Sequence, residues 1–408
     1  MQQYLVGLDI GNGSIKAAIG EVKREGLSLA GFLKFPSSGI RKGVLHDLGD
    51  ATQALSPVLA EIKKRNKHAG ERVFLGIASN DVKVHSSVGV VAVSRADYEI
   101  YRDDIDRAIQ SAQAVNLSPN RMVLHAIVQE YIVDGVRDIK DPLGMVGSRL
   151  EVHSLILEVF QPNVKNLARV PEMLGCEVKD VFLSPFADAR AVLSKNQKEL
   201  GVVLINIGFG KTTMCVYEEG KLMHAAVFPV GSANITNDLA IGLRIPVPVA
   251  EVVKRSFGSA LPREISARDS VDLSKVREGL KGHVSKKFIA EIIEVRLAEI
   301  LEFVHNDLKV LGKAGRLPAG AVLVGGGSKI PGAVEVARHE LKLSAQIGAP
   351  DGGMVPPSDP ETALQSEDPE FTTALGLLLL GHEKLGEGRG LPIPGGAFIK
   401  KMLRYFIP

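Results

Sequence analysis

Leu5-Val6-Gly7-Leu8-Asp9-Ile10-Gly11-Asn12-Gly13 and Val203-Leu204-Ile205-Asn206-Ile207-Gly208-Phe209-Gly210-Lys211 are the same sentence written twice, about two hundred residues apart. Each is a dense apolar run that ends on a short polar side chain and then breaks into a glycine turn. A second apolar run follows at once, Ile15–Val22 in the first case and Met214–Tyr217 in the second. An apolar run, a tight glycine turn and another run predict a strand, a turn and a strand. Recurrence of the unit predicts an internally duplicated α/β fold. A third glycine cluster, Gly325-Gly326-Gly327, follows the apolar run Ala321–Val324 and precedes a helix starting near Pro331.

Glycine lets a backbone approach an anion closely, and a tight turn at a strand end exposes N–H groups. One such turn is ordinary punctuation between elements. Three, with Asp9 and Asn206 leading the first two, predict a nucleotide clamp: two phosphate loops facing each other and a third loop for the adenosine. None matches the P-loop pattern, and none matches Gly-x-Gly-x-x-Gly after a strand.

Helical spacing is predicted over Asp50–Lys67, Asp103–Val115, Val164–Leu174 and Thr372–Leu385. Strands are predicted at Arg72–Ala78, Met122–Val133, Ser148–Phe160, Val178–Leu183 and Lys221–Phe228. Ser232–Leu311 is mostly helical, interrupted over 258–283. The chain of 408 residues is long enough for two to four domains. Its 49 Lys+Arg and 47 Asp+Glu leave a net charge of +2, without the basic excess of a nucleic-acid binder. Tryptophan is absent. The two cysteines, Cys176 and Cys215, cannot make a Cys-based zinc site and fit buried thiols in a reducing compartment. The first residues carry no basic n-region, and no apolar run approaches the ~20 residues of a spanning helix.

The end of the chain reads differently. Residues 386–396 are Gly/Pro-rich with no core-forming content. Beyond them, Phe398, Ile399, Met402, Leu403 and Phe406 share one helical stripe, with Lys400, Lys401 and Arg404 on the other side. That pattern predicts an interfacial helix lying in anionic headgroups. Docking of the same helix on the protein body is the competing expectation.

The three turns resemble the phosphate-1, phosphate-2 and adenosine motifs of the actin/Hsp70/sugar-kinase superfamily. Within it, Gly39-Ile40-Arg41-Lys42-Gly43-Val44, Gln129-Glu130-Tyr131-Ile132-Val133-Asp134-Gly135, Asp141-Pro142-Leu143-Gly144-Met145 and Phe228-Pro229-Val230-Gly231-Ser232 resemble the bacterial cell-division FtsA family over essentially the whole chain. The resemblance implies an actin-like, ribonuclease H-like duplicated, two-lobed α/β fold with a rearranged subdomain 1C. It divides the chain into 1A (1–81 and 161–198), 1C (82–160), 2A (199–231 and 304–385), 2B (232–303), the linker 386–396 and the tail helix 397–408.

It further implies ATP with Mg2+ in the cleft. Asp9, Gly11, Asn12, Gly13 and Lys16 would face phosphates and metal from one side, with Asp9 serving the metal through the nucleotide. Asn206, Gly208, Gly210, Lys211 and Thr212 would face them from the other. Gly325, Gly326, Gly327 and Lys329 would line the adenosine, and Glu251 and Lys254 the ribose and base. The pattern departs at Asn206, where the family usually has Asp, and at Phe209 and Lys211, where it has small Gly and Thr. Asn keeps an oxygen but loses the charge, so slow or absent hydrolysis is expected and no catalytic residue is assigned. Lys211 would instead offer its ammonium to the γ-phosphate.

The implied function is an actin-like filament on the inner face of the cytoplasmic membrane at the division site, which anchors the tubulin-like FtsZ ring and recruits later divisome proteins. Lys286, Lys287 and Arg296 would receive the FtsZ C-terminal peptide. A PilM-like pilus-assembly platform and a phosphotransferase of the same superfamily are the alternatives.

Overall fold

The computed structural model describes residues 3–23, 26–65, 68–350 and 355–387. The predicted linker, from residue 388 on, and the predicted tail helix lie outside them.

Two five-stranded sheets carry the molecule, and they are built alike. In the first, the strands run in the order Val178–Leu183, Val73–Ile77, Gln3–Ile10, Ser14–Lys23, Gly26–Pro36. In the second the order is Ala345–Ile347, Ala321–Val324, Val202–Ile207, Thr212–Glu218, Lys221–Phe228. Each sheet pairs its opening meander antiparallel and adds two parallel strands beside the first. The two glycine turns therefore occupy equivalent places. Asp9 faces Lys16 across the first hairpin, and Asn206 faces Thr213 across the second. The central strands are apolar on both faces because helices cover both sides, as parallel pairing requires.

Between Val73–Ile77 and Val178–Leu183 the first half carries an insertion. Lys83–Ala92, Arg149–Phe160, Arg121–Val133 and Val136–Ile139 form a four-stranded antiparallel sheet in that order. The helix Arg102–Gln113 covers one face, burying Ile105, Ala108, Ile109 and Ala112 against Val133, Leu150 and Val152. The alternation of Lys83–Ala92 passes unread in the sequence, because Ser86, Ser87 and Gly89 dilute it. Gly89 is needed there: a Cβ would meet the backbone of Ala108 and Ala112.

His125 ties the insertion to the first sheet. Its Nε2 accepts the Leu183 N–H at 3.0 Å, and its ring packs on Phe182 and Phe186. Burial, with the nearby charge of Lys384, pushes its pKa down to about 3. Protonation would place a hydrogen on the accepting nitrogen. The unfolded chain takes that proton near pH 6.5, the folded chain near 3. This contribution is therefore whole above the unfolded value and is lost as pH falls from about 6.5 toward 3. Discounted for its half-buried setting, it amounts to about 1 kcal/mol per pH unit. Urea unfolding between pH 6.5 and 4 is expected to show a shallower pH slope in His125→Gln than in the parent. Equal slopes would show that the ring does not titrate against folding.

In the second half, the helices Ser232–Leu243, Val247–Phe257 and Lys286–Val310 pack on one another and on the sheet. Pro246 and Val247-Pro248 start the second helix, where proline costs no hydrogen bond. Segment 258–285, which breaks the helical pattern, holds only short turns and the two-stranded ribbon Ser270–Asp272 with His283–Ser285.

The helix Thr372–Glu387 closes the molecule. Leu375, Leu378 and Leu379 join Leu5, Leu29, Phe32 and Phe74 in a core of their own. The helix sits so low on the first sheet that Gly7, Gly20 and Gly76 have no room for a Cβ beneath it. Its own Gly376 abuts the backbone of Ala187 in the neighbouring helix Ser184–Val192. Both cysteines are buried and free.

Candidate functional site

A cleft of about 640 Å³ opens between the two sheets. This is the size of a small-ligand site. Asp9, Gly11, Asn12, Gly13 and Lys16 line it from the first hairpin, and Asn206, Gly208, Gly210 and Lys211 from the second. Gly325, Gly326 and Lys329 line its third side, and Glu251 and Lys254 its edge. The sequence thus brought fourteen of its sixteen cleft candidates to one place. Thr212 and Gly327 are the exceptions. Thr212 turns away and donates to the Val230 carbonyl at 2.9 Å; Gly327 is buried against Ile207. Strand alternation explains the first, since Lys211 and Thr213 point to the cleft and Thr212 between them cannot.

The two turns have matched geometry. Gly11 N–H donates to the Ser14 carbonyl at 3.1 Å, and Gly208 N–H to that of Lys211 at 2.9 Å. They also touch. Phe209 lies against Gly13, so that a Cβ there would stand 2.7 Å from the ring. Asn12 lies against Gly210 and accepts the Gly43 N–H at 3.1 Å. Lys211 reaches over to the first lobe and donates from Nζ to the Ala78 carbonyl at 2.6 Å. Burial brings its pKa down to about 8, partly offset by Asp9. The expected ammonium for a phosphate is thus engaged with a backbone carbonyl of the opposite lobe.

Glu251 and Lys254 are more than charges on a wet helix face. Lys254 is buried, and its Nζ donates to Glu251 Oε2 at 2.7 Å, Thr236 Oγ1 at 2.8 Å and the Ser232 carbonyl at 3.2 Å. Burial lowers its pKa and the Glu251 partner raises it back in part. Lys329 pairs with Asp368 at 2.7 Å, beside Glu370.

The sequence reading missed several residues. Ser37 and Thr213 line the cleft, and each carries a buried hydroxyl without a hydrogen-bond partner. Each sits just beside a glycine-containing stretch, but a lone hydroxyl gives no spacing signal. Asp188 was also missed. It lies fully buried under Asn206, whose Nδ2 donates to its Oδ2 at 2.8 Å, while Thr373 Oγ1 donates to its Oδ1 at 2.7 Å. Burial pushes its pKa up to about 7, against the pull of those two hydrogen bonds. An acid in the middle of Phe186-Ala187-Asp188-Ala189 is the signal that was available. Among the described residues, no group of three or more His, Cys, Asp or Glu could hold a metal by itself. No described helix is long and apolar enough to cross a membrane.

A second concavity, about 410 Å³, lies on the helical part of the second half. Ile241, Gly242, Phe288, Ile292 and Val295 line it, with Asp238 and Glu291 at the rim. Ile241 is 77% exposed. Of the three cations expected to receive a peptide, Arg296 is paired with Asp238 and with Glu299 at 2.6 Å. Lys286 and Lys287 open the helix Lys286–Val310, whose N-cap is Ser285.

Residues 203–376 match the family model described as cell division protein FtsA, and residues 79–157 that of the SHS2 domain inserted in FTSA. Cell division protein FtsA of Pseudomonas aeruginosa is 33% identical over 397 residues, covering 97% of this chain and 93% of the relative. That of Neisseria meningitidis is 35% identical over 381 residues, covering 92% and 90%. Among solved structures, the PilM–PilN type IV pilus biogenesis complex superposes with a TM-score of 0.67 at 18% identity, covering 93% of this chain and 98% of that one. MreB5 of Spiroplasma citri bound to ADP does so with 0.52 at 13%, covering 95% and 97%. At such identities the structures speak for an actin-like fold alone.

Proposed function

Because the chain belongs to the FtsA family of cell division proteins, we propose that it is an ATP-binding, filament-forming adaptor that anchors the FtsZ ring to the inner face of the cytoplasmic membrane. The observation that carries this reading is the cleft, where two equivalent glycine turns from duplicated sheets face each other. The donor set fits a magnesium nucleotide. Glycines leave room for phosphate oxygens, and the unpartnered hydroxyls of Ser37 and Thr213 await a polar ligand. With no cluster of three such ligands among the described residues, the cation would be held through the nucleotide, with Asp9 nearby. Bound Mg2+ neutralises phosphate charge. Lys16 would add a cation on the first side, Glu251 and Lys254 would bracket the sugar, and Gly325 and Gly326 would let the base lie close. With an amide at 206 no residue is cast as a general base, and the reading is of binding with slow or no turnover.

The tail helix would then lie in anionic headgroups, each basic residue adding roughly 1 kcal/mol. At about a dozen residues it is marginal alone and needs the multivalency of a filament. Subdomain 1C, taken as 82–160, would meet later divisome proteins; the other boundaries stated above belong to the same proposal.

Sedimentation with phosphatidylglycerol vesicles tests it. The full chain is expected to pellet at least fivefold more than a chain ending at Leu385, and more strongly with ATP and Mg2+. Equal, weak pelleting of both would favour a PilM-like platform, the fold neighbour with the higher TM-score.

The apolar groove is proposed as the seat of the FtsZ C-terminal peptide, with Lys286 and Lys287 drawing its acidic end. Ile241→Glu places a charge on the groove's most exposed apolar residue. It is expected to weaken that peptide at least tenfold by fluorescence anisotropy while leaving the melting temperature unchanged. Unaltered affinity would move the site elsewhere.

A further inference from the structure

The duplicated sheets place Asp9 and Asn206 at equivalent strand ends, but only the first carries a charge. Behind the second turn a carboxylate lies one layer deeper, as Asp188 on the helix Ser184–Val192 of the first half. It closes a ring with two neighbours. Asn206 Nδ2 donates to Asp188 Oδ2 at 2.8 Å and to Thr373 Oγ1 at 3.2 Å, and Thr373 Oγ1 donates to Asp188 Oδ1 at 2.7 Å. Asp188 is fully buried and Thr373 nearly so, while Asn206 faces the cleft.

This ring fixes which way the amide points. Asp188 accepts from both Asn206 and Thr373, the arrangement of its ionised form, and in that form the donor end of Asn206 faces inward. Both of its amide hydrogens have inward partners. Its oxygen then lies against Gly325, where a Cβ would collide with Oδ1. An amide alone has two nearly isosteric orientations; the buried acid, when ionised, removes one.

We propose that Asp188 is a positioning residue for the cleft, holding Asn206 with its carbonyl oxygen outward as an acceptor for the hydrated divalent cation of a bound nucleotide. The inference rests on the reading of the cleft as a nucleotide site. The charge that would bind a cation directly is thereby kept a layer away, and the cleft presents a neutral oxygen suited to water in a cation's shell. Thr373 makes the arrangement depend on the helix Thr372–Glu387, which packs on the first sheet, so both lobes set the orientation.

The test is titration of the full chain with mant-ATP, with magnesium and with EDTA. In the parent, magnesium is expected to tighten binding at least tenfold. Asp188→Asn frees the amide to turn, and most of the magnesium gain is expected to vanish while the affinity in EDTA changes less than twofold. The exchanged pair, Asp188→Asn with Asn206→Asp, restores a donor facing an acceptor and an oxygen toward the cleft. Its magnesium gain is expected to equal or exceed the parent's. Should Asp188→Asn not fold, the exchanged pair decides alone: a folded protein with the gain supports the proposal, and failure to fold or folding without the gain overturns it. Asp188→Asn with an intact magnesium gain overturns it too, as does equal loss with and without magnesium that the exchange does not rescue. A parent that binds no mant-ATP in either condition brings down the nucleotide reading itself, and this inference with it.

Discussion

Gly376→Ala is expected to cost about 3 kcal/mol of folding stability, and Gly376→Val to prevent folding. The reason is a contact between two helix backbones. Thr372–Glu387 crosses Ser184–Val192 at Gly376, and a Cβ there would lie within bonding distance of the Ala187 carbonyl oxygen and carbon. Neither partner is a flexible side chain that can step aside. Overpacking of a fitted core costs ~1–3 kcal/mol even where side chains can yield, and the helices here can separate only by dragging Asp188 from Thr373. The same helix rests on Gly7, where a Cβ would meet the Ala374 carbonyl, so relief on one side creates a collision on the other. Gly49→Ala is the control. Its Cβ would meet only the Asp47 carboxylate oxygen at 3.3 Å. As a helical Gly→Ala change it is expected to be neutral or stabilising by up to ~1 kcal/mol. Urea unfolding followed by circular dichroism measures both. A Gly376→Ala protein within 0.5 kcal/mol (roughly the scatter of ordinary surface changes) of its parent would mean that the helices do not cross this closely in solution.

Gly13→Val is expected to lower affinity for magnesium nucleotide about a hundredfold, or ~2.7 kcal/mol. It should leave the fold in place. Gly13 is half of the contact between the two turns, and its missing side chain is what admits Phe209. Valine would force the ring outward or the loops apart, and would also put methyl groups where a phosphate has to approach the backbone. Phe209 is 42% exposed and can move, so stability is expected to fall by less than about 1 kcal/mol. Adding Phe209→Gly removes the collision but not the methyl groups. Partial recovery in the double variant therefore separates the two causes. Unchanged affinity in Gly13→Val would place the phosphates away from these turns.

The repeated turn unit made the duplicated sheets legible, because apolar runs ending in Asp9-Ile10-Gly11 and Asn206-Ile207-Gly208 carry both strand and turn signals. Most cleft residues followed, since they belong to those turns. The third strand of the first sheet, Gly26–Pro36, went unread. Gly31, at φ +146°, and the register shift at Ile19 and Gly20 break its alternation, and Arg65 covers the gap by donating to the Ala30 carbonyl. The short strand Ala345–Ile347 is too brief to show a period. What the sequence could not show was contact between distant residues. Asp188 under Asn206, and Lys211 on the Ala78 carbonyl, join positions 18 and 133 residues apart. Lys211 read as a cation for phosphate because its residue type suits that task; only the folded chain shows its ammonium already taken. Arg296 is the same case, held by Asp238 and Glu299, whereas the apolar groove beside it is assembled from two helices that periodicity alone does not bring together.

The contacts between the turns also have a consequence in time. Phe209 on Gly13, Asn12 on Gly210 and Lys211 on Ala78 join the two lobes beside the cleft, and a nucleotide of the proposed kind would have to part them to lie between the turns. Such a gate governs how often the lobes open more than how tightly they grip once closed. Entry would then run below the diffusive limit, and departure would wait for the same opening. A chain that exchanged its nucleotide slowly would keep the state in which it was loaded through many encounters with neighbours, and so would carry a memory longer than any single contact it made.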